Sequence, residues 1–240
     1  MSAREVRIEL LSPAEIDAAM AERPVVYVPL GTYEFHGAHL PIGLDALSAH
    51  GICLAAAERD GGVVCPPLYY GTGGGHGAYP WTIMVEPEPI LSLLRTTIAQ
   101  LAKFGVRQVV LMSGHFPGEQ IEMIQALAAE ARAEGTVRVD ALSVAMARLA
   151  LAPDHAAIFE TTLLGALRPE LVHVERLPPL ESAPAIDPNG NSMGPQRHEK
   201  SHPLYGIFGP DPRHYDPAAA QPLLKAMVDW VVGRVRDQTS

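Results

Sequence analysis

Residues 24–45 read PVVYVPLGTYEFHGAHLPIGLD. The first eight, 24–31, are a short apolar run bounded by Pro24 and Gly31. A run of that length and composition predicts a strand buried on both faces, as in a parallel sheet. It leads straight into a polar loop carrying Glu34, His36, His39 and Asp45 among Gly37, Pro41 and Gly43. Loops that follow parallel strands gather along one edge of the sheet, where ligand sites form.

The rest of the chain repeats the pattern. Residues 46–58, ALSAHGICLAAAE, predict a helix entered at Asp45. Residues 62–70, GVVCPPLYY, predict a second strand interrupted by prolines, followed by the glycine-rich loop GTGGGHGAYP and a short strand at 82–85. A helix near 88–103 stops at Phe104-Gly105, where glycine suits the position after a helix end. RQVVLMS at 107–113 is the third clear strand, and Gly114-His115 follows it directly. Beyond it the chain predicts a helix at 118–134, a strand at 136–144, a helix at 155–167 and a strand at 173–177. A Pro/Gly/Asn-rich loop spans 178–215, and Asp216-Pro217 supplies the N-cap and first residue of a last helix running to about 235. Alternating strands and helices predict an α/β fold, a three-layer α/β/α sandwich around a mainly parallel central sheet. With no repeat or linker, the expectation is one domain over residues 1–240.

Composition narrows the function classes. Of 240 residues, 48% are hydrophobic and 19% charged, which is a globular balance. The net charge of -9 and the lack of a Lys/Arg-rich run argue against nucleic acid or an anionic membrane as partner. Cys53 and Cys65 lack metal-ligand spacing and read as reduced core thiols, in keeping with a cytoplasmic protein. The N-terminal MSAREVRIELLSPAE is not a secretory signal, and no window approaches the roughly 18 apolar residues of a membrane span.

Glu34 and His36 occupy alternate positions of an extended segment, so they can flank one centre or reach two. Carboxylate, imidazole and the second carboxylate of Asp45 suit a divalent ion such as Zn²⁺, Mn²⁺ or Fe²⁺. His115 stands at the equivalent place after another buried strand. Asp45 has two oxygens with which to bridge two ions, which in two-metal hydrolases sit roughly 3.5–4 Å apart. The residues alone leave three readings open: two ions, one ion, or carboxylates that cap helices beside a backbone-bonded imidazole. Gly71, Gly73, Gly74 and Gly75 offer close backbone approach to a ligand, without the Gly-Lys-Ser/Thr ending of a phosphate loop. His76 and Trp81 are candidate pocket walls, and His39 a support for the metal loop.

The segment PLGTYEFHGAHLPIGLD resembles the signature of the creatininase (creatinine amidohydrolase) family, a Gly-x-x-Glu-x-His-Gly-x-His core with Leu-Pro and a later Asp. PPLYYGTGGGHGAYPWTIMV, LMSGHFPGEQ, DHAAIFETTLL and GIFGPDPRHYDPAAA resemble further family segments in the same order, so the likeness covers roughly residues 24–220. It implies a two-metal centre. Glu34, Asp45 and His115 would bind one ion, and His36, Asp45 and a further glutamate the other. Glu119 and Glu160 compete for that last place, with Glu119 slightly favoured. His155, at the family's His-Ala position, is the candidate general acid/base, and Glu119 is a second catalytic candidate. The resemblance also implies Zn²⁺ or Mn²⁺ as native ions, a small-molecule substrate and a homo-oligomer, possibly a hexamer.

Departures from the family cluster around the substrate. GHFPGEQ replaces Gly-His-Gly-Gly-Asn, and Ala78-Tyr79-Pro80-Trp81-Thr82 replaces Phe-Pro-Gly-Thr. Gly74, Gly75, His76, Trp81 and Phe116 are thus the candidate substrate contacts. The activity implied is hydrolysis of a C–N bond in a small, cyclic amide. Hydrolysis of a ring ketone or lactone by the same activated water is the alternative, and a non-catalytic binding protein on the same scaffold is a third.

Overall fold

The computed structural model describes residues 4–185 and 194–236. Four strands, β1 (Val25–Leu30), β2 (Val63–Val64), β3 (Gln108–Ser113) and β4 (Arg138–Ser143), form one sheet in the order β2-β1-β3-β4. All pairings are parallel; Val25 to Leu30 pair with Gln108 to Ser113, which pair in turn with Arg138 to Ser143. Among the described residues, seven α-helices accompany them: α1 (Pro13–Glu22), α2 (Leu44–Asp60), α3 (Pro87–Lys103), α4 (Gly118–Glu134), α5 (Ile158–Leu167), α6 (Pro195–His198) and α7 (Ala220–Arg236).

Alternation along each strand divides the core in two. Val25, Tyr27, Val110 and Met112 point to the face covered by α2, α5 and α7, where they meet Ile52, Phe159, Met227 and Val231. Val26, Val28, Val109 and Leu111 point to the other face, where Ala19 of α1, Ile90 and Leu94 of α3 and Ile124 and Leu127 of α4 cover them. Every residue of β1 and β3 is buried, as strands covered on both faces must be. The three-layer α/β/α arrangement is the one the sequence predicts.

Several elements differ from expectation. The strand at 62–70 pairs only at Val63–Val64, with a lone bridge from Leu68 to Leu30. Pro66 and Pro67 lack the N–H groups a ladder requires. Residues 82–85 contribute only the lone bridges Tyr33–Ile83 and Gly71–Met84. The segment 173–177 is not a strand: Val174–Arg176 is a 3-10 turn. The helix expected from 155 starts at Ile158, because the Asp154 carboxylate accepts from Phe159 N–H at 2.8 Å and Glu160 N–H at 3.3 Å. Asp45 does not precede α2 but lies in its first turn, behind Gly43 as N-cap. The long loop 178–215 contains α6, and its residues 186–193 lie outside the described residues. α1 was not expected, although Ser12 and Glu15 form a reciprocal capping box, a signature readable in the sequence. Among the described residues, no helix is long and apolar enough to cross a membrane.

Candidate metal centre

β1 and β3 are neighbours in the sheet, so the loops that leave them begin side by side. The first carries Glu34 and His36, and the second begins with Gly114-His115. The start of α2 lies between the two strand ends. A Cβ at Gly31 would stand 2.2 Å from Ala46 N, and one at Gly114 would stand 2.1 Å from Asp45 O. Only two glycines let the helix approach closely enough to bring the Asp45 carboxylate to both loops.

Three imidazoles are oriented the same way. Each donates one ring N–H to a backbone carbonyl, which can only accept, and turns its other nitrogen inward. His36 Nδ1 lies 2.8 Å from Glu34 O, His115 Nε2 lies 3.2 Å from Thr72 O, and His155 Nε2 lies 3.0 Å from Phe35 O. This carbonyl-locked tautomer is the arrangement that presents a lone pair to a metal or a substrate proton.

The inward atoms form overlapping groups. His115 Nδ1 lies 3.0 Å from Glu34 Oε2 and 3.1 Å from Asp45 Oδ2. His36 Nε2 lies 3.2 Å from Asp45 Oδ1 and 3.4 Å from Glu160 Oε2. Ligand atoms held about 2.0–2.2 Å from one small divalent ion sit roughly 3 Å from each other, so these spacings match a coordination shell. His36 Nε2 and Asp45 Oδ2 are buried without a hydrogen-bond partner, which a bound cation would supply. The donor set therefore fits two divalent ions on either side of Asp45. A third group, Glu34, His36 and His155, also has ligand atoms within 4.8 Å of one another.

Burial and charge act against each other here. Burial disfavours a charged His36, but Glu160 and Asp45 outweigh it and raise its proton affinity well above the usual imidazole range. His115 is likewise buried, yet Asp45 and Glu34 push it up to about 10. Burial would raise Glu34, but hydrogen bonds from His115 and His76 and the charge on His115 pull it well below the usual carboxylate range. Burial raises Glu160, with His36 offsetting it only in part. His155 is brought down to about 3 by burial, against the pull of Glu34, and so is neutral with a free Nδ1 lone pair.

Of the two competing glutamates, the fold brings Glu160 to His36 and leaves Glu119 away. Glu119 is exposed in the first turn of α4 and belongs to none of the donor groups among the described residues. Its carboxylate instead abuts Gly73, and the helix N-terminus accommodates its charge. Glu160 reaches the centre because α5 packs on α2, and its Oε2 also accepts from Ala156 N–H at 2.5 Å.

A cavity of about 310 Å³ opens on the cluster. Gly74, His76 and Phe116 line it as expected. Gly75 is exposed, and Trp81 points to solvent with 86% of its surface accessible, so neither lines the cavity. The Trp81 backbone is left-handed, with a φ of 60°. His76 donates from Nδ1 to Glu34 Oε1. His39 is buried beside the Thr161 hydroxyl, 3.3 Å from its Nε2, and supports the loop from behind. The sequence reading missed Asp154, Arg197 and Phe208 in the cavity wall. Phe208 lies in the flagged segment GIFGPDP, whereas no local motif surrounds Arg197.

Comparison with known proteins agrees with this arrangement. A relative from Pseudomonas putida named creatinine amidohydrolase is 28% identical over 68% of this chain and 71% of its own. A mycofactocin precursor peptide peptidase from Mycolicibacterium smegmatis is 30% identical over 89% of this chain and 85% of its own. A solved structure described as "Creatininase Mn" superposes with a TM-score of 0.77 at 25% identity, covering 98% of this chain and 99% of the other. The model of the creatininase (creatinine amidohydrolase) family matches residues 9–235, and this chain belongs to that family.

Proposed function

We propose that this protein is an amidohydrolase dependent on two divalent ions, Zn²⁺ or Mn²⁺, that opens the C–N bond of a small cyclic amide. The observation that carries the reading is Asp45, whose Oδ1 faces His36 at 3.2 Å while its Oδ2 faces His115 at 3.1 Å. Glu34 completes the His115 side and Glu160 the His36 side. Ions held there would supply a water acidified to near neutrality and would polarise the substrate carbonyl. A cavity of about 310 Å³ is at the small end for ligand sites, which favours a small amide over an extended chain.

The chain's own residues supply the proton traffic. His155, neutral and fixed through Nε2 to Phe35 O, presents Nδ1 to the cavity, 3.9 Å from Glu34 Oε1. It is the base that takes a proton from the attacking water and returns it to the departing nitrogen. Glu34 lies close enough to stabilise the imidazolium in between.

The test is elemental analysis of purified protein with a turnover panel of cyclic amides, ring ketones and lactones. About two ions per chain and hydrolysis of a cyclic amide are expected. Metal-loaded protein that opens only a ring ketone or lactone would overturn the amide assignment. Absence of tightly bound metal, with no activation by Mn²⁺ or Zn²⁺, would overturn the metal assignment.

A further inference from the structure

Among the described residues, Arg197 is the one arginine or lysine in the cavity lining. Its guanidinium lies over the Phe208 ring, 4.5 Å from the centroid. One Nη2 lies 3.4 Å from His76 Nε2. Arginine can only donate, so His76 accepts there and passes its Nδ1 proton toward Glu34. The guanidinium is therefore one imidazole away from the metal centre. Most other arginines, among them Arg23, Arg95 and Arg213, pair with a carboxylate. Among the described residues, no carboxylate pairs with Arg197.

Arg197 is half-buried in a cavity that also holds Glu34, Asp45, Asp154 and Glu160. A guanidinium seated over an aromatic ring keeps its in-plane N–H donors pointing sideways, and only one of them meets His76. Arg197 lines the cavity, and its one recorded side-chain hydrogen-bond partner is His76. A planar fork of this kind matches a carboxylate through two parallel hydrogen bonds, which a point charge cannot do. The acids of the centre face the ion sites and do not reach it.

We propose that Arg197 is the specificity-determining residue of this site, anchoring a carboxylate on the substrate, so that the preferred substrate is an amide bearing a carboxylate near the scissile bond. This rests on the amide reading above. Phe208 holds the guanidinium at the right height, and Arg197 positions the substrate without entering the chemistry. The anchored carboxylate places the amide carbonyl toward Asp45 and leaves its nitrogen toward His155.

The experiment uses metal-loaded protein and pairs of probes that differ only in the carboxylate: dihydroorotate against dihydrouracil, and N-acetylglycine against N-acetylglycinamide. Calorimetric Kd and kcat/KM are measured for wild type, Arg197→Ala, Arg197→Lys and Phe208→Leu, with metal content determined for each. Wild type is expected to favour the acid of a pair by at least about tenfold, the size of one charge-assisted hydrogen bond. Arg197→Ala is expected to reduce the preference to within about twofold at unchanged metal content, and Arg197→Lys to keep part of it. Phe208→Leu is expected to weaken it without removing it. Equal binding of acid and amide by wild type would overturn the proposal. A preference that survives Arg197→Ala would also overturn it, since the carboxylate would then be held by metal. Arg197-dependent binding of the acids without turnover of any amide would support the anchor while sinking the amide reading.

Discussion

His36 Nε2 lies 3.4 Å from Glu160 Oε2, although half the chain separates the two residues. The same nitrogen lies 3.2 Å from Asp45 Oδ1, so three segments meet at one point. Glu160→Gln is therefore expected to lower bound metal from about two ions per chain to about one. Glu119→Gln, on the exposed turn of α4, is expected to leave the count unchanged. Asp45→Asn removes the carboxylate shared by both sides and should cost both ions, with turnover falling on the order of 10³-fold or more. Elemental analysis of the three variants checks this; metal loss in the Glu119 variant would contradict it.

His155 tests the proton relay separately from metal binding. His155→Asn is expected to lower kcat by about 10²–10⁴-fold, the usual worth of a positioned acid/base. Metal content should stay near that of the wild type. A variant that loses metal instead would make His155 a ligand, since its ring also stands near Glu34 and His36.

Metal binding must release protons. Neighbouring carboxylates hold His36 and His115 above the usual imidazole range, so at pH 7 the metal-free chain carries both protons. An ion needs the lone pairs those protons occupy. Zn²⁺ binding at pH 7 is expected to release up to about two protons per chain and to tighten between pH 6 and 8. Calorimetry in buffers of different ionisation enthalpy measures the release. In the metal-free chain the sign reverses. Raised imidazoles contribute stability that is complete below their unfolded value of about 6.5 and is lost as pH rises toward about 10 for His115. Metal-free protein should thus melt at lower temperature at pH 9 than at pH 6.

Gly114→Ala should be costly at a site with no functional side chain. The added Cβ would stand 2.1 Å from Asp45 O, which is backbone and cannot swing aside. Overpacking of this kind typically costs about 1–3 kcal/mol, and here it also displaces the Asp45 carboxylate. Urea titration should show lower stability, and elemental analysis reduced metal. Gly233→Ala, where a Cβ meets nothing within 4 Å, is the control expected to be neutral or slightly stabilising within α7.

Much of this was written locally. The run 24–31 announced a buried parallel strand because its neighbours on both faces are helices, and such a strand has no polar side. Glu34, His36, Asp45 and His115 could be named because the first three share one loop and helix start, and the fourth follows a strand directly. The capping box at Ser12 and Glu15 was equally local and equally readable.

What only the tertiary structure decided depends on contacts between distant segments. Glu119 and Glu160 are each acidic residues in the first turn of a helix, and nothing in their own neighbourhoods separates them. The choice follows from where Asp154 starts α5 and how α5 packs against α2, which turns Glu160 inward. Trp81 reads as a pocket wall by its place beside a glycine-rich loop, but it sits on a left-handed backbone with its ring in solvent. Arg197 had no motif to mark it. Its meaning comes from Phe208 beneath it, farther along the same loop, and from His76 beside it, which lies in a distant segment. Sequence determined which chemical groups are present and which strands carry them; packing decided which of those groups share one cavity.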